Sequence, residues 1–178
     1  MLKQLKINNF KVIKPKFSEE NHKNNFPITK RVVEFSFLKA KSVLEEIQEK
    51  NFLVISGDTE VFRCGRVFSK TSSDLEVKEY LISLSGRRHF VFGGICVIDS
   101  KGKVSRKLVK TEVYFNKISS EELEDKFLIN EGIGKSGGYA IQGLAAKFIK
   151  KIRGSYTNVM GLSIPDLYSI LKGFGFKN

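Results

Sequence analysis

Residues 131–162 read EGIGKSGGYAIQGLAAKFIKKIRGSYTNVMGL. The stretch is glycine-dense and polar at first, then turns apolar. Glycine is costly to order, so a cluster of it marks turns or a close approach of backbone to a ligand. Lys135 and Gln142 sit among these glycines. A lysine there can meet a phosphate, and a glutamine amide offers a donor and an acceptor to a base edge. A glycine-rich turn carrying a surface lysine is the other reading of the same residues. Gly134-Lys135-Ser136 supplies the end of a P-loop, G-x-x-x-x-G-K-[ST], but Ile129 stands where the leading glycine belongs. The stretch also lacks the early strand and following helix, so a Walker A site is excluded.

Working outward, 52–56 (FLVIS) is a continuous apolar run suited to a buried central strand that Gly57-Asp58 ends. From Thr29 to Glu49 the residues Val32, Val33, Phe35, Leu38, Val43, Leu44 and Ile47 form a helical stripe, with Thr29 as N-cap. Phe10 to Lys16 reads as a short strand, and 17–28 as a polar loop. A second helix fits 72–84 with Ser72 or Ser73 as cap. Residues 89–98 and 104–116 read as a hairpin across the Asp99-Ser100-Lys101-Gly102 turn. Ser119-Ser120-Glu121-Glu122 opens a third helix in capping-box style, with Leu123, Phe127 and Leu128 on its buried side. Phe148 to Ile152 leans to strand, and Pro165 falls in the first turn of a closing helix. Strands interleaved with helices predict an α/β class with a mixed central sheet flanked by helices.

At 178 residues one domain, 1–178, is the natural expectation. Apolar content of 41% with 15 Phe is that of a globular chain. No run approaches the roughly 18 apolar residues of a membrane span. Cys64 and Cys96 make no disulfide framework, and two histidines make zinc improbable. A reducing cytoplasm is the expected compartment, with no signal peptide. The net charge of +12 raises a nucleic-acid reading, yet only seven of the 31 basic residues are arginine and the lysines are dispersed. A lysine-coated surface is favoured, and nucleic acid is not the expected partner. Such a field would still steer a triphosphate.

K-S-G-G-Y-A-I-Q-G at 135–143 and G-S-Y-T-N-V-M-G-L at 154–162 resemble the signature of the Maf family. Further matches are Ser56-Gly57-Asp58-Thr59 to (S/A)-A-D-T, Leu84-Ser85-Gly86-Arg87-Arg88-His89 to L-S-G-R-x-H, Leu38-Lys39-Ala40 to the family's K-A helix motif, and Lys70 to its Lys-Pro. The resemblance spans roughly residues 3–176. Departures are Gly57 for alanine, Thr71 for proline, and no S-x-S-x-x-R loop ahead of Met1-Leu2-Lys3-Gln4-Leu5, which looks like the end of the helix after it. The expectation is a chain truncated at its N-terminus relative to the family. An edge left open by that truncation would be filled by another segment or by a second chain.

The resemblance implies an ITPase-like fold with a cleft between two lobes, a homodimer, and a Mg²⁺-dependent nucleoside triphosphate pyrophosphatase. The G-Y-x-I-Q-G form resembles the branch acting on dTTP and UTP. A catalytically impaired relative that binds nucleotide or nucleic acid is the alternative. Asp58 would be the catalytic base and, with Glu19, a metal ligand. Lys39, Lys70 and Lys135 would hold phosphates, with Arg87 a further oxyanion contact. Thr59 and Gln142 match positions of substrate choice. Read without the resemblance, Asp58 is a turn aspartate, the lysines are surface lysines, Arg87 closes a helix C-terminus, and Glu19 belongs to a solvated loop.

Overall fold

The computed structural model describes residues 1–19 and 26–176. They contain helices α1 (Ile28–Lys41), α2 (Asp74–Leu84), α3 (Lys126–Gly132), α4 (Tyr156–Val159) and α5 (Ile164–Gly173). The strands are β1 (Leu53–Arg63), β2 (Arg66–Phe68), β3 (Arg88–Asp99), β4 (Val104–Phe115) and β5 (Ile149–Arg153), in the sheet order β2-β1-β3-β4-β5. β1·β2 and β4·β5 are antiparallel, registered through pairs such as Phe62↔Val67 and Val113↔Ile152. β3 and β4 form the expected hairpin, whose turn is pinned by Asp99 Oδ1 accepting from the Lys101 and Lys103 amides. These pairings are antiparallel where a mixed sheet was expected, because each is closed by a short turn or a looped return. The chain is α/β in composition. No helix among the described residues is long and apolar enough to cross a membrane.

The chain forms two compact units, Met1–Asp58 with Gly93–Val109 and Gly161–Asn178, and Thr59–Phe92 with Lys110–Met160. The strands β1, β3 and β4 each contribute to both. In the first unit strand alternation builds three layers. Val54, Cys96 and Ile98 face Ala40 in the last turn of α1 and Val43 just beyond it. Ile55, Ile95 and Val97 face the other way, onto Leu167 and Leu171 of α5 and onto Leu5 of a short 3₁₀ helix at Leu2–Leu5. In the second unit Val61, Val91, Val113 and Phe115 cover one face with Val77, Tyr80, Leu81 and Leu84 of α2 and Leu128 of α3.

Several boundaries differ from the sequence expectations. α1 stops at Lys41, where the Ser42 hydroxyl donates to the Lys39 carbonyl. A 3₁₀ turn at Leu44–Glu46 follows, and Val43, Leu44 and Ile47 reach the same core without a helix. The N-cap is Pro27, not Thr29; its carbonyl accepts from the Lys30 and Arg31 amides. Gly57-Asp58 does not end β1 but lies inside it. Residues 10–16 form no strand, since no strand among the described residues pairs with them, and Val12 is exposed. The Ser119–Glu122 capping box forms reciprocally, but it opens only a 3₁₀ turn at Glu122–Glu124. α3 begins after its own cap, Asp125, and Phe127 points outward at 79% exposure. The Ser73 cap of α2, the β5 strand and Pro165 in the first turn of α5 are as expected.

Candidate active site

Alternation along β1 carries one face from Val54 through Ser56 to Asp58, toward α1. The Ser56 hydroxyl donates to the Ser36 carbonyl, fixing α1 against the strand. One helical turn later Lys39 Nζ reaches Asp58 Oδ1 at 2.5 Å and Glu19 Oε1 at 2.5 Å. Asp58 is 5% exposed, so a buried carboxylate is held on an ammonium. Burial works against the Lys39 charge, but the coulombic pull and hydrogen bonds of Asp58 and Glu19 outweigh it and hold the ammonium above its ordinary range. Gly57 sits where a Cβ would lie 3.2 Å from the Gly161 carbonyl oxygen, a crowded position that glycine relieves.

In the second unit the residues 133–144 make a folded loop. Gly137 and Gly138 hold positive φ of 79° and 68°, where glycine carries no Cβ penalty. Ser136 Oγ donates to the Thr59 carbonyl at 2.9 Å, and the Gly134 amide to the Thr71 carbonyl at 2.8 Å. Thr59 and the segment of Lys70 therefore lie against the loop of Lys135. Lys70 is exposed. Thr71, the residue in the place of proline, uses its hydroxyl to accept from the Ser73 amide and to bond Glu76, anchoring the start of α2. Lys135 is half-buried, and its Nζ donates to the Glu131 carbonyl at 2.7 Å. An ammonium has three donors, so this bond uses one of them. Gln142 is exposed in the turn that follows.

Arg87 is engaged elsewhere. Its guanidinium donates to the Ile82 and Ser83 carbonyls at 3.2 and 3.1 Å, satisfying the C-terminus of α2. The G-S-Y-x-N-V segment is occupied structurally too. Ser155 caps α4, and Asn158 Nδ2 donates to the Val91 carbonyl and Thr111 Oγ1, tying β3 to β4. Glu60 is a second buried carboxylate, two residues beyond Asp58; the sequence carries no signal for it, because the strand that buries it reads as ending at Gly57-Asp58.

His89 and Tyr139 come from two motifs and meet at 2.8 Å through Nε2 and the phenol oxygen, in an edge-on cluster with Phe115. Burial, helped by the charge of Arg63, pushes the imidazole down to about 3. An unfolded histidine titrates near 6.5. As pH falls below about 6.5 the unfolded chain therefore gains a proton that the native chain refuses, and stability drops until about pH 3. Urea titrations at pH 7 and pH 5 should show the wild type losing roughly 2 kcal/mol more than His89→Gln, at about 1.4 kcal/mol per unit. Equal losses would show that the imidazole is not held neutral.

Two carboxylates converging on one cation suit a divalent metal of the Mg²⁺ kind. Such an ion takes one or two carboxylates and completes its shell with water and substrate phosphates. No group of three His, Cys, Asp or Glu able to hold a metal occurs among the described residues.

Comparison with protein families matches residues 1–174 to Maf-like proteins. A dTTP/UTP pyrophosphatase of Chelativorans sp. (strain BNC1) is 45% identical over 143 residues, 78% of this chain and 68% of that protein. A nucleoside triphosphate pyrophosphatase of Neorickettsia sennetsu is 40% identical over 166 residues, 92% of this chain and 77% of its own. One of the same description from Rickettsia canadensis is 36% identical over 180 residues, 99% of this chain and 88% of its own. With the lysine–carboxylate cluster and the glycine loop both formed from the motif residues, the chain belongs to the family of Maf-like proteins.

Proposed function

We propose that the chain is a nucleoside triphosphate pyrophosphatase that converts dTTP and UTP to the monophosphate and diphosphate. The observation that carries this reading is the Lys39–Asp58–Glu19 cluster built around the buried Asp58, in a chain whose relatives are so described. Water attacks the α-phosphorus; its oxygen bonds phosphorus as the bond to the bridging α–β oxygen breaks. Asp58 takes the proton of the attacking water. Lys39, Lys70 and Lys135 balance charge on the phosphates, and such positioned cations are the main source of rate in phosphoryl chemistry. Arg87 lends positive potential while closing α2. Gln142 reads the pyrimidine edge, and Thr59 shapes the same selection. Asp58 and Glu19 would hold Mg²⁺, which supplies charge neutralisation to the substrate phosphates. The assembly is a homodimer, as the family resemblance implies.

The test is phosphate release coupled to inorganic pyrophosphatase, run across the common triphosphates with Mg²⁺. Release from dTTP and UTP, abolished by a chelator and dependent on the coupling enzyme, is the expected result. Turnover no greater than that of Asp58→Asn at high enzyme would defeat the reading. Calorimetric nucleotide binding without turnover would replace it with a binding role.

A further inference from the structure

Glu131 stands in the last turn of α3, and both ends of the residue hold the loop that follows. Its carboxylate accepts from the Leu144 amide through both oxygens, at 2.8 and 3.1 Å. Its backbone carbonyl accepts from Lys135 Nζ at 2.7 Å. The intervening Gly143 leaves space for that carboxylate. A Cβ there would lie 2.0 Å from Glu131 Oε2 and 2.3 Å from Cδ. Gly143 has φ −110°, so it is not glycine for want of a left-handed backbone. The fit is to the glutamate.

We propose that Glu131 is a positioning residue that sets Lys135 and Gln142 at a fixed separation. The inference rests on the pyrophosphatase reading, in which Lys135 meets phosphate and Gln142 meets the base. A hydrogen bond from an amide to a carboxylate is among the stronger ones in a protein. The carboxylate bond to the Leu144 amide, thirteen residues on, and the ammonium bond from Lys135, four residues on, to the backbone carbonyl of the same residue close the loop 131–144; only the first depends on the glutamate side chain. The substrate then finds a cation and a base reader already spaced, and binding need not order them. Glu131 touches no substrate in this scheme; it acts through Lys135 and Gln142.

The experiment compares Glu131→Ala, Glu131→Gln, Gly143→Ala and the double variant Glu131→Ala/Gly143→Ala. Three readouts are taken: KM and kcat for UTP, the ratio of kcat/KM for UTP over GTP, and hydrogen exchange at the Leu144 amide. Glu131→Ala should raise KM about 10-fold or more, with kcat changed much less, given the strength of charged hydrogen bonds. It should also shrink the UTP/GTP ratio and speed exchange at Leu144. Glu131→Gln keeps one acceptor and should recover part of each loss. Gly143→Ala should mimic Glu131→Ala by expelling the carboxylate, and the double variant should be no worse than Glu131→Ala alone. Unchanged exchange at Leu144 would overturn the clamp. Faster exchange with unchanged KM and unchanged UTP/GTP ratio would overturn its role at the site. A wild type that turns over no triphosphate defeats the pyrophosphatase reading itself. UTP affinity by calorimetry then takes the place of KM, and equal affinity across the variants overturns the proposal.

Discussion

Asp58→Asn is expected to lower turnover of dTTP and UTP by about 10²–10⁴-fold, the usual contribution of a positioned general base. The substitution keeps the shape of the side chain on β1 and removes its charge. Lys39 loses one of its two carboxylate partners and keeps Glu19. Removing one member of a buried pair also costs stability, so the thermal midpoint must be measured beside kcat. The expected signature is a folded protein with a collapsed kcat, and with nucleotide affinity in Mg²⁺ weakened far less than kcat because Glu19 remains to hold the ion. A kcat within about tenfold of wild type, on protein that melts cooperatively, would remove Asp58 from the role of base.

Gly94→Ala is expected to produce the largest loss of stability in the first unit, about 3 kcal/mol or more. A Cβ at this position of β3 would lie 2.0 Å from the Val32 carbonyl oxygen and 2.4 Å from its carbon. Both belong to the backbone of α1, so no side chain can swing aside. The helix itself must retreat from the sheet. α1 also carries Ser36 and Lys39, whose contacts with Ser56 and Asp58 depend on that close approach. Activity should fall together with the denaturation midpoint. Gly173→Ala serves as the control: nothing lies within 4 Å of a Cβ there. It should be neutral or slightly stabilising, since alanine replaces glycine in a helix. A Gly94→Ala protein as stable as that control would show that α1 does not need to pack so tightly.

Apolar periodicity and local turn chemistry made much of the fold legible. The Ser73 cap, the 99–102 turn and Pro165 act within a few residues of themselves, so their meaning survives without tertiary context. The motifs of the glycine loop and of Lys39 and Asp58 likewise named the residues that the structure draws into its two polar clusters. What failed was whatever depended on a distant partner. Gly57-Asp58 reads as a strand end, yet β1 continues because Lys39, 19 residues away, satisfies the buried carboxylate. Val43, Leu44 and Ile47 keep helical spacing, yet the sheet buries them from a 3₁₀ turn.

Arg87 and Lys135 show the same division between two similar-looking cations. The sequence places both near glycines in motifs, and only the fold assigns their acceptors. Arg87 spends its guanidinium on the end of α2, whereas Lys135 shares one bond with the Glu131 carbonyl and stays half-buried in its loop. Glu131 carried no local signal at all, because its role is a contact with the Leu144 amide, 13 residues on. Family membership, the succession of most helices and strands, and the residue types available for chemistry are all legible in the linear chain, because they rest on local spacing and identity. The tertiary structure alone decided which charges meet. A polar side chain bonds whichever partner packing brings within about 3 Å, and that distance is set by the close approach of helix to sheet at positions such as Gly94.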